Sequence, residues 1–455
     1  MSDNCPYTEE DVKRLIEGAK KQGRKILFLG ALGAGMSPLS RAMLSDGYSV
    51  IGVDRAGDDP HLCFPYPVYT EIKEAELDSV VLAVRSLAIS EDDPTVRMLR
   101  RRGIPLIDRP RMLDIYSESF GIRVGVAGTH GKSTVTAMLA HILIGAGVPF
   151  TVIGGAEVAK GDSLYKCGRD IILFEACEYR DAFLKMHPDL AVITRVELDH
   201  TDYFESFDQY LDSFRRFSKS ASARVVGTDF EGYEHLLAQE GKSISFGKGE
   251  GAQIRYRCEG KRQGRYEYSL YYDNKCLHSF LPLLGEYNLA NAAAAIAAAG
   301  EVGIAPPISA KILQSFRGIG RRMQRLEDYQ GKTVYYDYAH HPTEIREAIG
   351  ALADCPRPLT VVFRPHTYTR TKSFMREFAA ALSLADRVLL LEVFAARERA
   401  IEGVSSSALA DLIGNRAISL DFPDTLPYLQ DKTQGTVLLL GAGDLSPMLK
   451  KMYGE

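Results

Sequence analysis

Residues Arg123–Ala146 read RVGVAGTHGKSTVTAMLAHILIGA, and this stretch decides the fold. Arg123–Ala127 is a short apolar run suited to a buried strand, and Lys132–Ala146 has the length and residue choice of a helix. Between them lies Gly128-Thr129-His130-Gly131-Lys132-Ser133. Glycines let a backbone curl until its N–H groups converge on phosphate oxygens, and the following helix start adds partial positive charge. A lysine and a hydroxyl next in line suit the β/γ-phosphates and a Mg²⁺ ion. The complete pattern asks for glycine five residues before Gly131, where this chain has Val126, so the strand–turn–helix context carries the reading.

Outward from this junction, short β-branched runs alternate with helical stretches, which predicts parallel sheets with crossover helices. Ile171–Glu175 and Ala191–Arg195 read as neighbouring strands whose ends are acidic: Glu175 and Glu178, then Glu197, Asp199 and His200. In an open parallel sheet these ends share one rim with the phosphate loop. A carboxylate and an imidazole there suit the shell of a Mg²⁺ ion, although taken alone they can also be read as solvated loop charges. Toward the N-terminus, Lys25–Gly30 and Tyr48–Asp54 read as strands. Gly30-Ala31-Leu32-Gly33-Ala34-Gly35-Met36-Ser37 forms a second glycine turn between the first of them and a helix, Ser37–Asp46. Pro38 breaks the dinucleotide spacing counted from Gly33, which favours some other pyrophosphate-bearing ligand over a nicotinamide cofactor. Tyrosine alternation over Ile254–Phe280 predicts antiparallel hairpin strands with Asp273-Asn274 in a turn. Helices follow over Asn288–Gly300, with Asn288 a natural N-cap, and over Ile308–Phe316. A third α/β rhythm takes Thr333–Asp337, Leu359–Phe363, Arg387–Leu391 and Thr436–Leu440 as strands.

Composition bounds the rest. At 455 residues the chain fits about three domains of roughly 150 residues. Hydrophobic content of 45% with 25% charged residues describes a globular α/β protein. A net charge of −4 gives no reason to expect nucleic acid as a partner. No apolar run approaches the ~18 residues of a membrane span, and the acidic start MSDNCPYTEEDVKRL carries no secretion segment. Seven cysteines without a CxxC pair point to free thiols in a reducing cytoplasm.

Taken together, nine stretches resemble the Mur ligases, ATP-dependent amide-forming enzymes of bacterial cell-wall synthesis. They are FLGALGAGMS (28–37), GIPLIDRPRML (103–113), VAGTHGKSTVTAML (126–139), EACEYRDAFLKMHPDLAVITRVELDHTDYF (175–204), LPLLGEYNLANAAAAI (281–296), RRMQRLE (321–327), YYDYAHHPTEI (335–345), FRPHTYTRT (363–371) and LLLGAGD (438–444). The turn ending in Gly35-Met36-Ser37, the His340-His341-Pro342 run and Pro365-His366-Thr367-Tyr368-Thr369-Arg370 resemble the alanine-adding members. Four motifs depart from the family's usual residues: Cys177 and Tyr179 around Glu178, Arg195 in the next strand end, Leu87 within Ser86–Ile89, and Thr367. Tyr287 likewise stands where many relatives have histidine.

The resemblance implies an α/β chain of three domains. Residues 1–118 would be a Rossmann-like domain for the UDP part of a substrate. Residues 119–318 would be a central phosphate-loop domain with an extra antiparallel sheet, and 319–455 a Rossmann-like domain for the amino acid. UDP-N-acetylmuramate and L-alanine are the implied substrates, with ATP and Mg²⁺, and a monomer or weak homodimer the implied state. The implied UDP-substrate residues are Gly33, Gly35, Met36, Ser37 and Asp54. For ATP they are Gly128, Thr129, His130, Gly131, Lys132, Ser133, Thr134, Asn288, Asn291 and Asp337. Ser133, Glu178 and His200 would ligate the metal, and Lys132, His200, Arg321 and Arg322 would act in catalysis. His341, His366 and Arg370, with Arg364 nearby, would meet the amino acid. A Mur-type ligase for another amino acid or a peptide, and an ATP-binding regulatory protein without ligase activity, stay open.

Overall fold

The computed structural model describes residues 7–57, 63–158 and 161–454. Three sheets divide the chain, and each is built around strands buried on both faces, as parallel strands under crossover helices must be. The first sheet runs Val68–Tyr69, Ser49–Val53, Lys25–Leu29, Val80–Arg85, Leu106–Asp108, all parallel. Its central strand is the first in sequence, so the glycine turn after Leu29 opens where the strand order reverses.

The second sheet has ten strands. Ile122–Ala127, which feeds the phosphate loop, lies between Leu190–Ile193 and Ile171–Glu175, parallel to both. The tyrosine-rich segment gives three strands, Ile254–Arg262, Arg265–Tyr272 and Lys275–Leu281, joined by two tight turns. Asp273 and Asn274 sit in the second turn with φ of 45° and 58°, the left-handed values that a two-residue hairpin requires. Instead of forming a separate antiparallel sheet, these strands extend the parallel one, because Ile254 pairs in parallel with Phe246. The third sheet runs Gln324–Arg325, Thr333–Asp337, Thr436–Leu440, Leu359–Phe363, Arg387–Leu390, Ala417–Ser419, with only the first strand antiparallel.

The helix Lys132–Gly145 is buried along ten of its residues, since the sheet covers one side and the helix Tyr287–Glu301 the other. The second helix is alanine-rich for that reason: Ala292 to Ala299 are almost fully buried, and small side chains let the two axes approach. Three sequence expectations shift. The strand expected over Ala191–Arg195 is Leu190–Ile193, because Thr194 turns its hydroxyl onto the carbonyls of Ala127 and His130. The helix expected from Ile308 begins at Pro306, a residue suited to a first turn. Asn288 is inside its helix, whose N-cap is Glu286; the Asn288 amide donates back to the Leu284 carbonyl at 2.7 Å.

Candidate active site at the meeting of three domains

The phosphate loop is fixed by contacts that only glycine permits. Gly128 has φ +139°, and a Cβ there would stand 1.9 Å from Thr194 Oγ1. Gly131 has φ +83°, and its Cβ would stand 2.4 Å from Asn291 Oδ1. The loop is tied to the neighbouring strand end: Thr129 N donates to the Arg195 carbonyl at 2.7 Å, and its hydroxyl to the Glu197 carbonyl at 2.8 Å. Lys132 folds back over the loop, donating to the Gly128 carbonyl at 2.5 Å and to Glu178 Oε1 at 3.0 Å.

The acidic rim collects there as the sequence suggests, but with its own pairings. Glu178 is 1% exposed and lies 3.4 Å from His200 Nε2. Burial alone would raise its carboxyl; Lys132 and His200 overcome that and hold it at about 2. Ser133 donates instead to Glu175 Oε2 at 2.9 Å, and Glu175 also accepts from Gly155 N. Ser133, Glu178 and His200 are thus on one rim with a second carboxylate, Glu175, beside them. This oxygen-rich set with one imidazole and an anionic Glu178 fits a hard divalent cation.

The third domain reaches the same rim through charge. Arg370 is buried, and its guanidinium fork grips Asp199 at 3.0 and 3.1 Å. The fork that the sequence reading reserves for an amino-acid carboxylate is therefore engaged by a carboxylate of the central domain. His366 lies 3.2 Å from Arg370, and burial together with that guanidinium lowers its imidazole to about 4. His341 caps the helix Pro342–Ala351, its Nδ1 accepting from Thr343 N at 3.3 Å. Arg364 points elsewhere, donating to the Asp444 carbonyl.

His130 stands between the domains, donating to Glu197 of the central one and Glu344 of the third, each at 3.2 Å. Burial would lower its imidazole, but the two carboxylates raise it to about 9. Below that value it is an imidazolium clamp.

A cavity of about 1540 Å³ opens beside the loop. His130, Gly131, Thr134, Asn288, Asn291 and Asp337 line it, with Tyr287. Arg322 also lines it, 3.8 Å from Glu344, whereas Arg321 is exposed and its guanidinium stacks on Tyr338. Of these two arginines, at least one of which is expected near the phosphates, Arg322 faces the cavity and Arg321 does not. Asp337 accepts from Met323 N and Ala339 N, and burial pushes its carboxyl up to about 6.

Gly33, Gly35, Met36 and Ser37 form the start of the helix Met36–Ser45 at the glycine turn. Asp54 closes that turn from below, accepting from Leu32 N at 3.1 Å.

Sequence reasoning missed several groups. Arg109 donates to the Gly35 carbonyl at 3.3 Å and lies within electrostatic reach of Glu175. It sits inside a quoted motif, yet nothing local says that it faces a turn 74 residues away. Thr343 and Glu344 were equally silent, although Glu344 stands three residues after His341, the capping-box spacing that was available to read.

Residues 126–299 match the Mur ligase middle domain, and residues 321–443 match the Mur ligase glutamate ligase domain. The chain belongs to the Mur ligase family. A relative named UDP-N-acetylmuramate–L-alanine ligase in Caldanaerobacter subterraneus subsp. tengcongensis is 32% identical, over 95% of this chain and 98% of its own. One of the same name in Aquifex aeolicus is also 32% identical, with the same coverage. The fold is similar to the crystal structure of the UDP-N-acetylmuramate–alanine ligase of Thermotoga maritima, with TM-score 0.77 and 24% identity over 95% of this chain and 98% of that one. It is also similar to a murein peptide ligase from Psychrobacter arcticus, with TM-score 0.69 and 22% identity over 95% and 98%.

Proposed function

We propose that this chain joins L-alanine to the lactyl carboxylate of UDP-N-acetylmuramate at the expense of ATP, a step of peptidoglycan precursor synthesis in the cytoplasm. The observation that carries the reading is coverage: relatives named for that reaction align with 95% of this chain. Domain limits of 1–118, 119–318 and 319–455 fit the three sheets, and a monomer or weak homodimer suffices, because the central and third domains of one chain already meet at the phosphate loop.

The chemistry is an electrostatic problem. The lactyl carboxylate attacks the γ-phosphorus of ATP and gives an acyl phosphate and ADP; the alanine amine then displaces phosphate and leaves the amide. An anion must approach a polyanion, so preorganised cations supply most of the catalysis. Lys132 is at the loop and exchanges its carbonyl and Glu178 partners for phosphate oxygens. Arg322, held by Glu344, faces the same cavity from the third domain. Asn288, Asn291 and Asp337 stand where the adenosine half would lie, and the turn Gly33–Ser37, with Arg109 above it, would meet the pyrophosphate of the UDP substrate. Ser133, Glu178 and His200 would hold Mg²⁺, which screens the triphosphate when bound. Arg370 positions Asp199 and His366, and through them the third-domain wall with His341. Closed domains keep water from the acyl phosphate, which hydrolysis would waste.

The test is release of ADP and phosphate by the purified protein with UDP-N-acetylmuramate and L-alanine, L-serine, glycine, a cell-wall tripeptide or no acceptor. Turnover stimulated most by L-alanine is expected. Turnover only with the tripeptide would move the assignment to peptide addition, and acceptor-independent hydrolysis would mean a nucleotide-driven regulator.

A further inference from the structure

Beside the Ser133–Glu178–His200 rim, three other side chains converge from two domains. His130 Nε2 lies 3.2 Å from Glu197 Oε2, and the His341 ring is 4.9 Å from that of His130, centroid to centroid. Ligand-capable atoms of His130, Glu197 and His341 all lie within 4.8 Å of one another. His341 is 3% exposed, and its Nε2 is buried without a hydrogen-bond partner. A polar atom at that depth calls for a ligand.

The surroundings are those of a metal-binding imidazole. The second nitrogen of His130 is held by Glu344 Oε1 at 3.2 Å, the carboxylate–histidine arrangement that orients a ligand ring and raises its basicity. The second oxygen of Glu197 accepts from the Thr343 hydroxyl at 2.6 Å, which orients that carboxylate in turn. Two imidazoles and one carboxylate make a donor set suited to Zn²⁺ and poorly suited to Mg²⁺. With metal–ligand bonds of about 2.0–2.2 Å, tetrahedral donors stand about 3.4 Å apart. The His130–Glu197 pair at 3.2 Å already has that spacing. Pairs as wide as 4.8 Å would close by about 1.4 Å.

We propose that His130, Glu197 and His341 form a Zn²⁺-type site separate from the Mg²⁺ rim, and that its occupancy staples the phosphate loop to the third domain. The proton balance is explicit. His130 gives up its Nε2 proton to solvent and keeps Nδ1–H on Glu344. His341 moves its ring proton from Nε2 to Nδ1, which forfeits the 3.3 Å bond from Thr343 N and frees Nε2 for the metal. The inference is independent of which acceptor the enzyme uses, since it concerns only the closed arrangement of these two domains.

The experiment takes the full chain, stripped of metal, with ADP and excess Mg²⁺ present, and titrates Zn²⁺ against a chromophoric chelator. One site is expected, and His341→Ala and Glu197→Ala should each weaken it at least ten-fold, while Glu178→Gln leaves it unchanged. Co²⁺ in place of Zn²⁺ should give the intense visible absorption of a four-coordinate ion, lost in the same two variants. Should His341→Ala fail to fold, Glu197→Ala carries the test, because Glu197 caps no helix. Zinc affinity equal to wild type in Glu197→Ala, loss of the site in Glu178→Gln, or a weak six-coordinate Co²⁺ spectrum would each overturn the proposal.

Discussion

Replacing Arg370 by alanine distinguishes a residue that binds substrate from one that closes domains. Arg370 and Asp199 have side chains 9% and 6% exposed and share two bonds across the boundary between the third and central domains. Breaking a buried pair by deleting one partner costs about 3–5 kcal/mol, because the remaining charge stays dehydrated. Here the remaining charge has an escape: if the domains part, Asp199 regains water and the cost falls on closure, not on folding. The lower figure, about 3 kcal/mol, then corresponds to a shift of about 150-fold in the closing equilibrium. Every substrate that needs the closed form should feel it, so kcat/KM for ATP and for the amino acid should fall together by about two decades. Steady-state kinetics with each substrate varied in turn reads this, and solution scattering should show a larger radius of gyration with melting little changed. Arg370→Lys keeps the charge without the fork and should fall between. If Arg370→Ala raised only the amino-acid KM and left ATP kinetics and scattering as in wild type, the closure argument would be refuted in favour of a carboxylate clamp.

Lys132→Ala should abolish acceptor-dependent ADP release while leaving the far-ultraviolet circular dichroism unchanged; normal turnover would remove the loop from the mechanism. Gly128→Ala should destabilise the protein by about 3 kcal/mol, because the added Cβ meets Thr194 at a positive φ. Thr194→Ala should not rescue it, since the backbone strain remains, and urea unfolding of the single and double variants measures both. His187 bonds Asp114 at 2.8 Å across the first and central domains, and that partner raises its imidazole above the ordinary 6.5. A raised histidine stabilises fully below about 6.5 and loses that contribution as pH climbs through the folded value. The melting-temperature gap between wild type and His187→Asn should therefore be widest near pH 6 and close at alkaline pH; a gap that grows with pH would contradict the pairing.

What the sequence disclosed and what it withheld follow from the range of each interaction. The junction Val126–Ser133 was legible because its strand, glycines, lysine and helix are contiguous, and each constrains its neighbours. Glu178 and His200 were legible as strand-end residues, since parallel-sheet geometry sends all such ends to one rim. The split between Arg321 and Arg322 was not, because adjacent residues face different ways only once the backbone is known: Arg321 takes φ +60°, which turns it out of the cavity. Asp199 and Arg370 stand 171 residues apart. Nothing in either neighbourhood names the other, and an arginine beside histidines reads as well for a substrate as for a partner domain.

The same pattern explains why the site's cations are all engaged within the protein itself. Lys132 faces Glu178, Arg370 faces Asp199, Arg322 faces Glu344, and His130 faces both Glu197 and Glu344. Unpaired, so many buried positive groups at one junction would repel one another and favour open domains. Each internal carboxylate removes that repulsion and sets its partner's direction. An arriving polyphosphate then exchanges with a carboxylate instead of meeting a bare charge, so its binding energy reports the difference between two anions. For Lys132 the exchange also releases Glu178, a carboxylate of the rim shared by the loop lysine and His200. Nucleotide arrival and cation capture are therefore linked through a single side chain. Glu178→Gln, which is neutral, should weaken Mg²⁺ capture and at the same time tighten ADP binding in the absence of Mg²⁺, because Lys132 loses its internal competitor, and calorimetry with ADP at low and high Mg²⁺ reads both signs. Loss of the Mg²⁺ dependence with unaltered ADP affinity in the absence of Mg²⁺ would show that the lysine and the cation use Glu178 independently.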